Sequence, residues 1–434
     1  MASEDDEKDI ELSIDGREVV ITHPSKLLIP EAKVRKIDLV NYYIAVAKGA
    51  LRGAGGRPCV LVRYPNGVDE DFFFQKRAPS KRPDWLEVAS IHFPSGRGAD
   101  EVVPRHPADL AWMANLACLE LHPHPVRAED LEHPDELRVD LDPVPGVEWP
   151  QIREAARVVQ QVLAEFGLTG WPKTSGSRGL HVLVRIEQCW SFDQVRRAAL
   201  ALAREVERRA PGIATSAWWK EERRGVFVDY NQNAKDRTVS SAYSVRPKPD
   251  ARVSTPVTWQ ELEACDPGDF TLWTVPGRLR AIGDPHEGID AKPDSLASLL
   301  ELSARHEADG QGDAPWPPHY RKAAGEPRRA PPSTARVRAP LIEVARADRE
   351  ADALVAAQAW KDRHPKVAEH LEPADVLIDR MRSSSSLHYR VRINLTRVPS
   401  RLRPKPEKDG PRREEELHKT PTDAPKTLRK AKPT

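Results

Sequence analysis

The sequence predicts an α+β fold, and two observations support this class. From about Glu11 to Cys265, segments with the apolar spacing of amphipathic helices alternate with short apolar runs typical of strands, a pattern found in α/β and α+β proteins. The chain has 434 residues, of which 39% are hydrophobic and 31% are charged. We therefore expect a soluble protein of two or three domains, with one large domain extending to about residue 290.

Four helices and one strand of this domain are predicted directly. Leu39 and Tyr43 follow helical spacing in the first helix, Gly167 ends the third and Pro211 ends the fourth. The apolar strand is followed by the turn signal Pro65-Asn66-Gly67. The expected helices span residues 37–51, 108–119, 151–166 and 192–209, and the expected strand spans residues 59–64.

Composition limits where the protein works. The N-terminus is acidic and polar, which excludes a signal peptide, and no apolar stretch reaches membrane-spanning length. The four cysteines lack a C-x-x-C pair, which is typical of reduced thiols in a cytoplasmic protein; they are Cys59, Cys118, Cys189 and Cys265. The net charge of +1 neither supports nor excludes nucleic-acid binding, because a balanced total can hide a basic face.

The domain boundaries follow from shifts in composition. Residues 311–340 contain seven prolines and several arginines, which is typical of a linker. Residues 401–434 contain 11 Lys/Arg, 6 Asp/Glu and six prolines, which predicts a disordered basic tail. The predicted units are a disordered acidic lead (1–15), the main domain (16–300), a Pro/Arg-rich linker (301–340), a small α/β extension (341–400) and the tail (401–434).

Two elements are expected in the small extension. Residues 341–363 form a strong helix candidate, and residues 387–395 alternate strictly between apolar and polar side chains, as in a strand. The polar face of this strand includes Arg390 and Arg392. These arginines either guard an exposed sheet edge or contact nucleic acid, and the sequence leaves both readings open.

Three aspartates predict a metal site in the main domain. Asp140 and Asp142 lie two residues apart in an apolar run, so in a strand both side chains point to one face. Asp229 ends a second apolar run, 87 residues after Asp142. Three carboxylates on adjacent strands can hold two divalent cations for in-line phosphoryl transfer.

A Gly/Ser turn lies between the two acidic strands, at residues 173–181. Its small residues let backbone N–H groups approach an anion, while Ser175 and Ser177 add hydroxyl donors and Arg178 adds charge. The spacing differs from that of a Walker loop. Carboxylates beside such a turn indicate a nucleoside triphosphate held by metal ions and by the turn; His181 either contributes to this site or only packs at the strand start.

With these motifs, the chain resembles the polymerase domain of bacterial DNA ligase D, a member of the archaeo-eukaryotic primase superfamily, from about Ile21 to Leu279. The resemblance implies a primase-polymerase core of mixed and antiparallel sheets flanked by helices. The segments that carry it are His23-Pro24-Ser25-Lys26, Val62-Arg63-Tyr64-Pro65-Asn66-Gly67, Phe73-Phe74-Gln75-Lys76, Leu119-Glu120-Leu121-His122, the Asp-Leu-Asp-Pro at 140–143, residues 175–181, residues 226–233 and Tyr243-Ser244-Val245-Arg246.

The resemblance also implies roles for individual residues. The three aspartates would bind two Mn²⁺ or Mg²⁺ ions. The incoming nucleotide would contact His122, Ser175, Ser177, Arg178, Gln232, Arg246 and Arg63. The template and a downstream 5′-phosphate would contact Lys26, Lys36, His23, Phe73, Phe74 and Lys76. The implied partners are gapped or broken DNA, NTPs or dNTPs with ribonucleotides preferred, a Ku-like end-binding protein and a separate DNA ligase. The implied process is the repair of double-strand breaks by non-homologous end joining, in a cytoplasmic protein associated with the nucleoid.

Several positions depart from the family pattern. Arg178 replaces a lysine found in many members, His23 an asparagine, Val62 a lysine and Tyr230 a tryptophan. A K-x-D-G adenylation motif is missing, so we expect a polymerase without a ligase domain. Two other classes stay open: a module that binds DNA ends with little polymerisation, and a two-metal nuclease. For His122, the alternatives are a core histidine and a zinc site with His124 and His133.

Overall fold

The computed structural model describes residues 8–316, 320, 340–382 and 387–404, and the chain divides into two compact units, residues 1–334 and 335–434. Each unit has its own hydrophobic core. In the first unit the core joins sheets and helices from Ile14 to Ala314. The described residues contain no helix long and apolar enough to cross a membrane.

The first unit contains eight helices and fourteen strands among its described residues. The helices are α1 (Lys36–Ala45), α2 (Ala47–Ala54), α3 (Pro107–Asn115), α4 (Trp149–Glu165), α5 (Phe192–Arg209), α6 (Trp259–Leu262), α7 (Val275–Ile282) and α8 (Ala297–Ala308). The strands are β1 (Ile10–Ile14), β2 (Arg17–Ile21), β3 (Leu27–Ile29), β4 (Val34–Arg35), β5 (Cys59–Arg63), β6 (Phe73–Gln75), β7 (Glu87–His92), β8 (Gly98–Val103), β9 (Cys118–Pro123), β10 (Glu136–Pro143), β11 (Trp171–Thr174), β12 (Leu180–Arg185), β13 (Ala214–Thr215) and β14 (Val226–Asp229).

Two five-stranded sheets organise this unit. The first has the order β11-β12-β10-β14-β13 and is antiparallel except for the parallel pair β13 and β14. The second has the order β6-β5-β8-β7, with β9 also paired to β5, and is wholly antiparallel. Two hairpins, β1-β2 and β3-β4, complete the sheets. The predicted α+β class with mixed and antiparallel sheets flanked by helices is confirmed.

Local sequence explains why α5 begins where it does. The Ser191 hydroxyl accepts a hydrogen bond from the Gln194 backbone N–H at 3.3 Å, and the Gln194 side chain accepts one from the Ser191 N–H at 2.9 Å. This reciprocal capping box satisfies two backbone donors that the first helical turn cannot pair internally. The apolar face of α5 packs against α4 and over the central sheet.

The second unit is a three-stranded antiparallel sheet covered by helices. Its elements are β15 (Leu341–Ala347), α9 (Glu350–Arg363), α10 (Pro365–Ala368), β16 (Val376–Arg382) and β17 (Leu387–Asn394), and the strand order is β15-β17-β16. Trp360 of α9 is buried in its core.

The sequence interpretation of this unit was wrong in two places. Residues 341–347 form β15, because Ile342 and Val344 are buried while Glu343 between them is exposed, which is the two-residue period of a strand. The edge-guard reading of Arg390 and Arg392 is also wrong, since β17 is the central strand. Both arginines contact the Asp379 carboxylate, with Oδ2 at 3.3 and 2.5 Å.

Three boundaries in the first unit also differ from the prediction. The helix expected over residues 37–51 is divided at Val46 into α1 and α2, and the one expected over 108–119 ends at Asn115, followed by Ala117 with a φ of 56°. Residues 10–14 form β1 within the segment expected to be disordered.

The predicted linker and tail are described only in part. Residues 301–308 continue α8, and the segment after it packs on the first unit through Arg196 and Arg204. The rest of the predicted linker, apart from residues 320 and 340, lies outside the described residues, as do residues 1–7 of the acidic lead and residues 405–434 of the tail.

Candidate active site

The central sheet brings the three aspartates together. In the antiparallel pair of β10 and β14, Asp140 lies directly opposite Asp229, and Asp142 follows two residues along the same face of β10. One oxygen from each carboxylate lies within 4.8 Å of the others, and among the described residues this is the only such group of three potential ligands. The period of the strand and the register of the pair therefore build an acidic cluster, as the sequence predicts.

The electrostatics of this cluster favour a cation. Burial raises the pKa of Asp140 well above its usual range, and the charges of Asp142 and Asp229 raise it further. Desolvation and the Asp229 charge raise the pKa of Asp142 to about 6. Asp140 Oδ1 is buried and accepts no hydrogen bond from any described residue. Three carboxylates that repel one another, with one buried oxygen that accepts no hydrogen bond, are suited to hard divalent ions such as Mg²⁺ or Mn²⁺.

Lys173 and His181 lie behind the acidic cluster. They face each other across β11 and β12, and the Lys173 ammonium donates to His181 Nδ1 at 2.8 Å. His181 Nε2 lies 3.4 Å from Asp140 Oδ1. Burial lowers the pKa of Lys173 to about 7 and that of His181 well below its usual value. The structure thus places His181 beside the cluster, and Lys173, which the sequence analysis gave no role, orients it.

The predicted phosphate turn connects β11 to β12. The Ser175 hydroxyl accepts hydrogen bonds from the backbone N–H groups of Ser177 at 3.2 Å and of Gly179 at 3.0 Å, which closes the turn. Gly176 has a φ of +65°, and a Cβ there would lie 2.5 Å from Arg246 Cγ. Glycine is therefore required at this position, both for the left-handed backbone and for the close packing of Arg246. Arg178 donates to the Pro143 carbonyl at 3.4 Å, at the end of the acidic strand.

Glu120 links three side chains near this turn. Its carboxylate accepts a hydrogen bond from the Tyr64 hydroxyl at 3.2 Å and lies 3.3 Å from His122 Nε2 and 3.1 Å from Arg246 Nε. Burial opposes ionisation of Glu120, but Arg246 and His122 outweigh it and hold its pKa at about 2. His122 and Arg246 are therefore positioned by one buried anion. Glu120 was not among the predicted site residues, although its two-residue spacing from His122 places both on one face of β9.

The zinc alternative for His122 is not supported. His124 points away to the buried Glu101, at 3.1 Å, and His133 Nδ1 lies 2.8 Å from the Asp130 carboxylate. No described residues other than the three aspartates form a cluster of three metal ligands. Burial lowers the pKa of His122, so it serves as a neutral hydrogen-bonding group.

A cavity of about 270 Å³ opens beside Asp142 and Asp229. Gln232 lines it and donates to Asp229 Oδ2 at 3.2 Å, so the predicted nucleotide residue lies at the acidic cluster. The other lining residues are Trp218, Lys220, Arg223, Asn231 and Arg237. Lys220, Arg223 and Arg237 were not among the predicted site residues. The signal for Lys220 and Arg223 is the run of basic and tryptophan residues just before β14, whereas Arg237 follows that strand.

A second cavity, of about 220 Å³, contains the predicted 5′-phosphate residues. His23, Lys26 and Lys36 line it together, and the Lys26 ammonium donates to Asn66 Oδ1 at 3.3 Å. Arg63 also lines this cavity, although it was predicted to contact the nucleotide. Arg63 Nε donates to the Leu116 carbonyl at 2.8 Å at the end of β5, and its contact with the nucleotide stays a prediction.

The two predicted stacking phenylalanines face in different directions. Phe74 packs edge-on to His122, with ring centroids 6.2 Å apart. Phe73 is 44% exposed and lies under the Arg63 guanidinium, whose carbon is 5.2 Å from the ring centroid. Lys76 extends over the Phe93 ring, 4.2 Å from its centroid. Phe73 is therefore the ring available to a base, while Phe74 shapes the wall beside His122.

Several known proteins are similar to this chain. The family described as the LigD primase-polymerase domain matches residues 35–286. The multifunctional non-homologous end joining DNA repair protein LigD of Mycobacterium tuberculosis is 34% identical over 288 residues, covering 64% of this chain and 38% of that protein. The LigD protein of Pseudomonas aeruginosa is 31% identical over 289 residues, covering 66% and 34%. The chain therefore spans little more than a third of the length of these curated relatives.

A solved structure is also similar. The polymerase domain of Mycobacterium tuberculosis ligase D, in complex with DNA, superposes with a TM-score of 0.59 at 34% identity, covering 63% of this chain and 99% of that one. The matched family covers more than half of the chain and contains the acidic cluster, the phosphate turn and Arg246. The chain belongs to the LigD primase-polymerase domain family.

Proposed function

We propose that the chain is a DNA-primer-dependent nucleotidyltransferase that adds NTPs, with ribonucleotides preferred, using two divalent metal ions. The observation that carries this proposal is the cluster of Asp140, Asp142 and Asp229 within 4.8 Å, next to a phosphate turn. A nuclease would share the carboxylates, but it has no use for a triphosphate site made of Ser175 and Arg246.

The residues of the cluster would hold Mn²⁺ or Mg²⁺, and the ions would supply charge neutralisation and alignment of the attacking and leaving oxygens. Around them, Arg178 and Arg246 stabilise the charge that builds on the phosphates, because preorganised cations cost no reorganisation at the transition state. The Ser177 and Gly179 N–H groups close the turn on the Ser175 hydroxyl, so the turn would act mainly by holding Arg178 and Arg246 beside the phosphates. His122, held by Glu120, contacts the sugar or phosphate of the nucleotide.

The second cavity would take the 5′-phosphate of the downstream strand. Lys26 and Lys36 provide cationic donors there, with His23 beside them, and charge-assisted hydrogen bonds to phosphate are about twice as strong as neutral ones. Phe73 is exposed and lies under the Arg63 guanidinium, which lines this cavity. Its ring would stack on a template base, a contact worth about 1–3 kcal/mol.

The biological setting follows from the relatives. Their names place LigD in non-homologous end joining, and the similar solved structure contains DNA. We therefore assign gap filling and end processing at double-strand breaks to this chain, with DNA, a Ku-like end-binding protein and a DNA ligase as partners.

Primer extension on a short gapped duplex tests this function. The duplex carries a 5′-phosphate in one series and a 5′-hydroxyl in the other, and NTPs are compared with dNTPs in Mn²⁺ and in Mg²⁺. We expect faster incorporation of NTPs, and faster extension with the 5′-phosphate. Shortening of the labelled primer would instead identify a nuclease.

A DNA-end-binding module is the second candidate, and one observation favours it. The second cavity has its own cations, and none of the three aspartates lines it, so it can bind a 5′-phosphate without metal ions. Tight binding of the gapped duplex in a chelator, together with no incorporation of either nucleotide in Mn²⁺, would establish this function in place of polymerisation.

A further inference from the structure

A segment outside the family match packs back on the catalytic unit. We name residues 311–316 the clamp. They follow α8 and lie beyond the matched residues 35–286. Arg204 of α5 donates to the backbone carbonyls of Gln311 at 3.0 Å and Gly312 at 2.6 Å. The clamp is thus a packed part of the first unit, although its composition predicts a linker.

Arg196 lies about two turns before Arg204 on α5 and is enclosed by the clamp. Its Nη1 donates to the Asp313 carboxylate at 2.9 Å, and its Nη2 donates to the carbonyls of Ala314 and Pro315 at 3.2 and 3.1 Å. The Trp316 ring covers the guanidinium at 4.0 Å, and its indole N–H donates to Asp313 at 2.8 Å. Arg196 is fully buried, so these contacts compensate for its lost hydration.

The third side of the same guanidinium points to the acidic cluster. Arg196 Nε donates to the Asn231 side-chain oxygen at 3.1 Å, and the Tyr230 ring lies 5.3 Å away. Asn231 belongs to the single helical turn Tyr230–Asn233, and its backbone N–H donates to Asp229 Oδ1 at 2.9 Å. A continuous chain of contacts therefore runs from the clamp through Arg196 and Asn231 to the third carboxylate.

We propose that the clamp positions Asp229 for metal binding, with Arg196 as the positioning residue. The inference rests on the proposed function, since it assigns the three aspartates to divalent ions. Asp140 and Asp142 repel Asp229, so a force acts to move this carboxylate away from the cluster. The planar guanidinium holds the Tyr230–Asn233 turn in one orientation, because its donors have a fixed fork geometry. If the Arg196 guanidinium no longer holds this turn, the Asp229 carboxylate moves away from Asp140 and Asp142.

Mn²⁺ titration of the full chain without DNA or nucleotide tests the inference, with free Mn²⁺ followed by electron paramagnetic resonance. Trp316→Ala opens the clamp without touching the cluster. We expect its Mn²⁺ affinity to fall about tenfold, the range seen when outer-shell support of a metal ligand is lost. Arg197→Ala is the matched control, because this half-exposed neighbour on α5 faces Glu307 at 3.5 Å, and its affinity should equal that of the wild type.

A second variant separates positioning from stability. Asp313→Asn keeps the volume of the clamp and removes only the charge that faces Arg196. If Trp316→Ala fails to fold, the Mn²⁺ affinity of Asp313→Asn tests the inference in its place. Combining it with Arg196→Lys should add no further loss of affinity, since both changes act on one chain of contacts. Wild-type affinity in both folded clamp variants would overturn the inference. A wild-type protein that binds no Mn²⁺ would instead refute the metal-dependent function.

Discussion

Replacing Asp142 with asparagine is expected to stabilise the metal-free protein and to abolish its response to Mn²⁺. The carboxylate oxygens of the cluster lie within 4.8 Å of one another. Two unit charges at this distance repel by about 3.5 kcal/mol at an effective dielectric constant of about 20. Neighbouring groups partly desolvate the Asp142 carboxylate, but the side chain still reaches the surface, so solvent screening reduces this figure. We expect a gain of about 1–2 kcal/mol from the neutral side chain.

The effect of Asp142→Asn has a defined pH dependence. The pKa of Asp142 is about 6 in the folded protein, against an ordinary value of 3.8. The folded protein therefore binds this proton more tightly than the unfolded chain, so the carboxylate destabilises the fold fully above about pH 6 and not at all below about pH 3.8. The stability difference between the variant and the wild type should shrink as the pH falls from about 7.5 to about 4.5.

Thermal unfolding in a chelator measures this difference. At about pH 7.5 the midpoint of Asp142→Asn should lie about 2–5 °C above that of the wild type. Added Mn²⁺ should raise the wild-type midpoint and leave that of the variant unchanged, because a ligand stabilises only the state that binds it. Asp71→Asn, an exposed aspartate outside the cluster, is the control. A lower midpoint for Asp142→Asn in chelator would refute the repulsion argument.

Three further predictions concern the surrounding residues. Glu120→Gln should lower the free energy of unfolding by about 3 kcal/mol at pH 7, since the pKa of Glu120 is about 2 against 4.5; urea unfolding should show the loss shrinking as the pH falls from 4.5 to 2. Lys26→Ala should slow extension of gapped DNA only when the gap carries a 5′-phosphate; equal slowing without the phosphate would contradict its role. Phe73→Ala should weaken binding of gapped DNA about fivefold or more in a fluorescence titration, with an unchanged unfolding midpoint, whereas Phe74→Ala should mainly lower stability.

The acidic cluster could be predicted from the sequence because the rule behind it is local. Asp140 and Asp142 share a face of any strand, and the apolar run before Asp229 marks its neighbour. The roles of Glu120 and Lys173 could not be predicted from the sequence, because each role depends on which strands pair. Glu120 reaches Arg246 only after β9 and the segment at Arg246 come together, and Lys173 meets His181 only through the register of β11 and β12.

The C-terminal part of the chain shows where composition misleads. Residues 311–316 begin the Pro/Arg-rich stretch that predicts a linker, but a buried arginine on α5 donates to their carbonyl groups and makes them part of the fold. Residues 341–347 contain enough Ala and Leu to extend a helix, yet Ile342 and Val344 are needed to cover the core of the small sheet. In both cases tertiary packing outweighs local preference.

Primer extension by Asp140→Ala tests the central claim most directly. Asp140 lies opposite Asp229 and beside His181, and the alanine removes a buried carboxyl group that would hold the metal ions. With Mn²⁺, NTPs and a gapped duplex that carries a 5′-phosphate, the wild type should extend the primer. The variant should show the same circular dichroism spectrum and no extension. Extension by this variant at the wild-type rate would contradict the assignment of the three aspartates to catalysis.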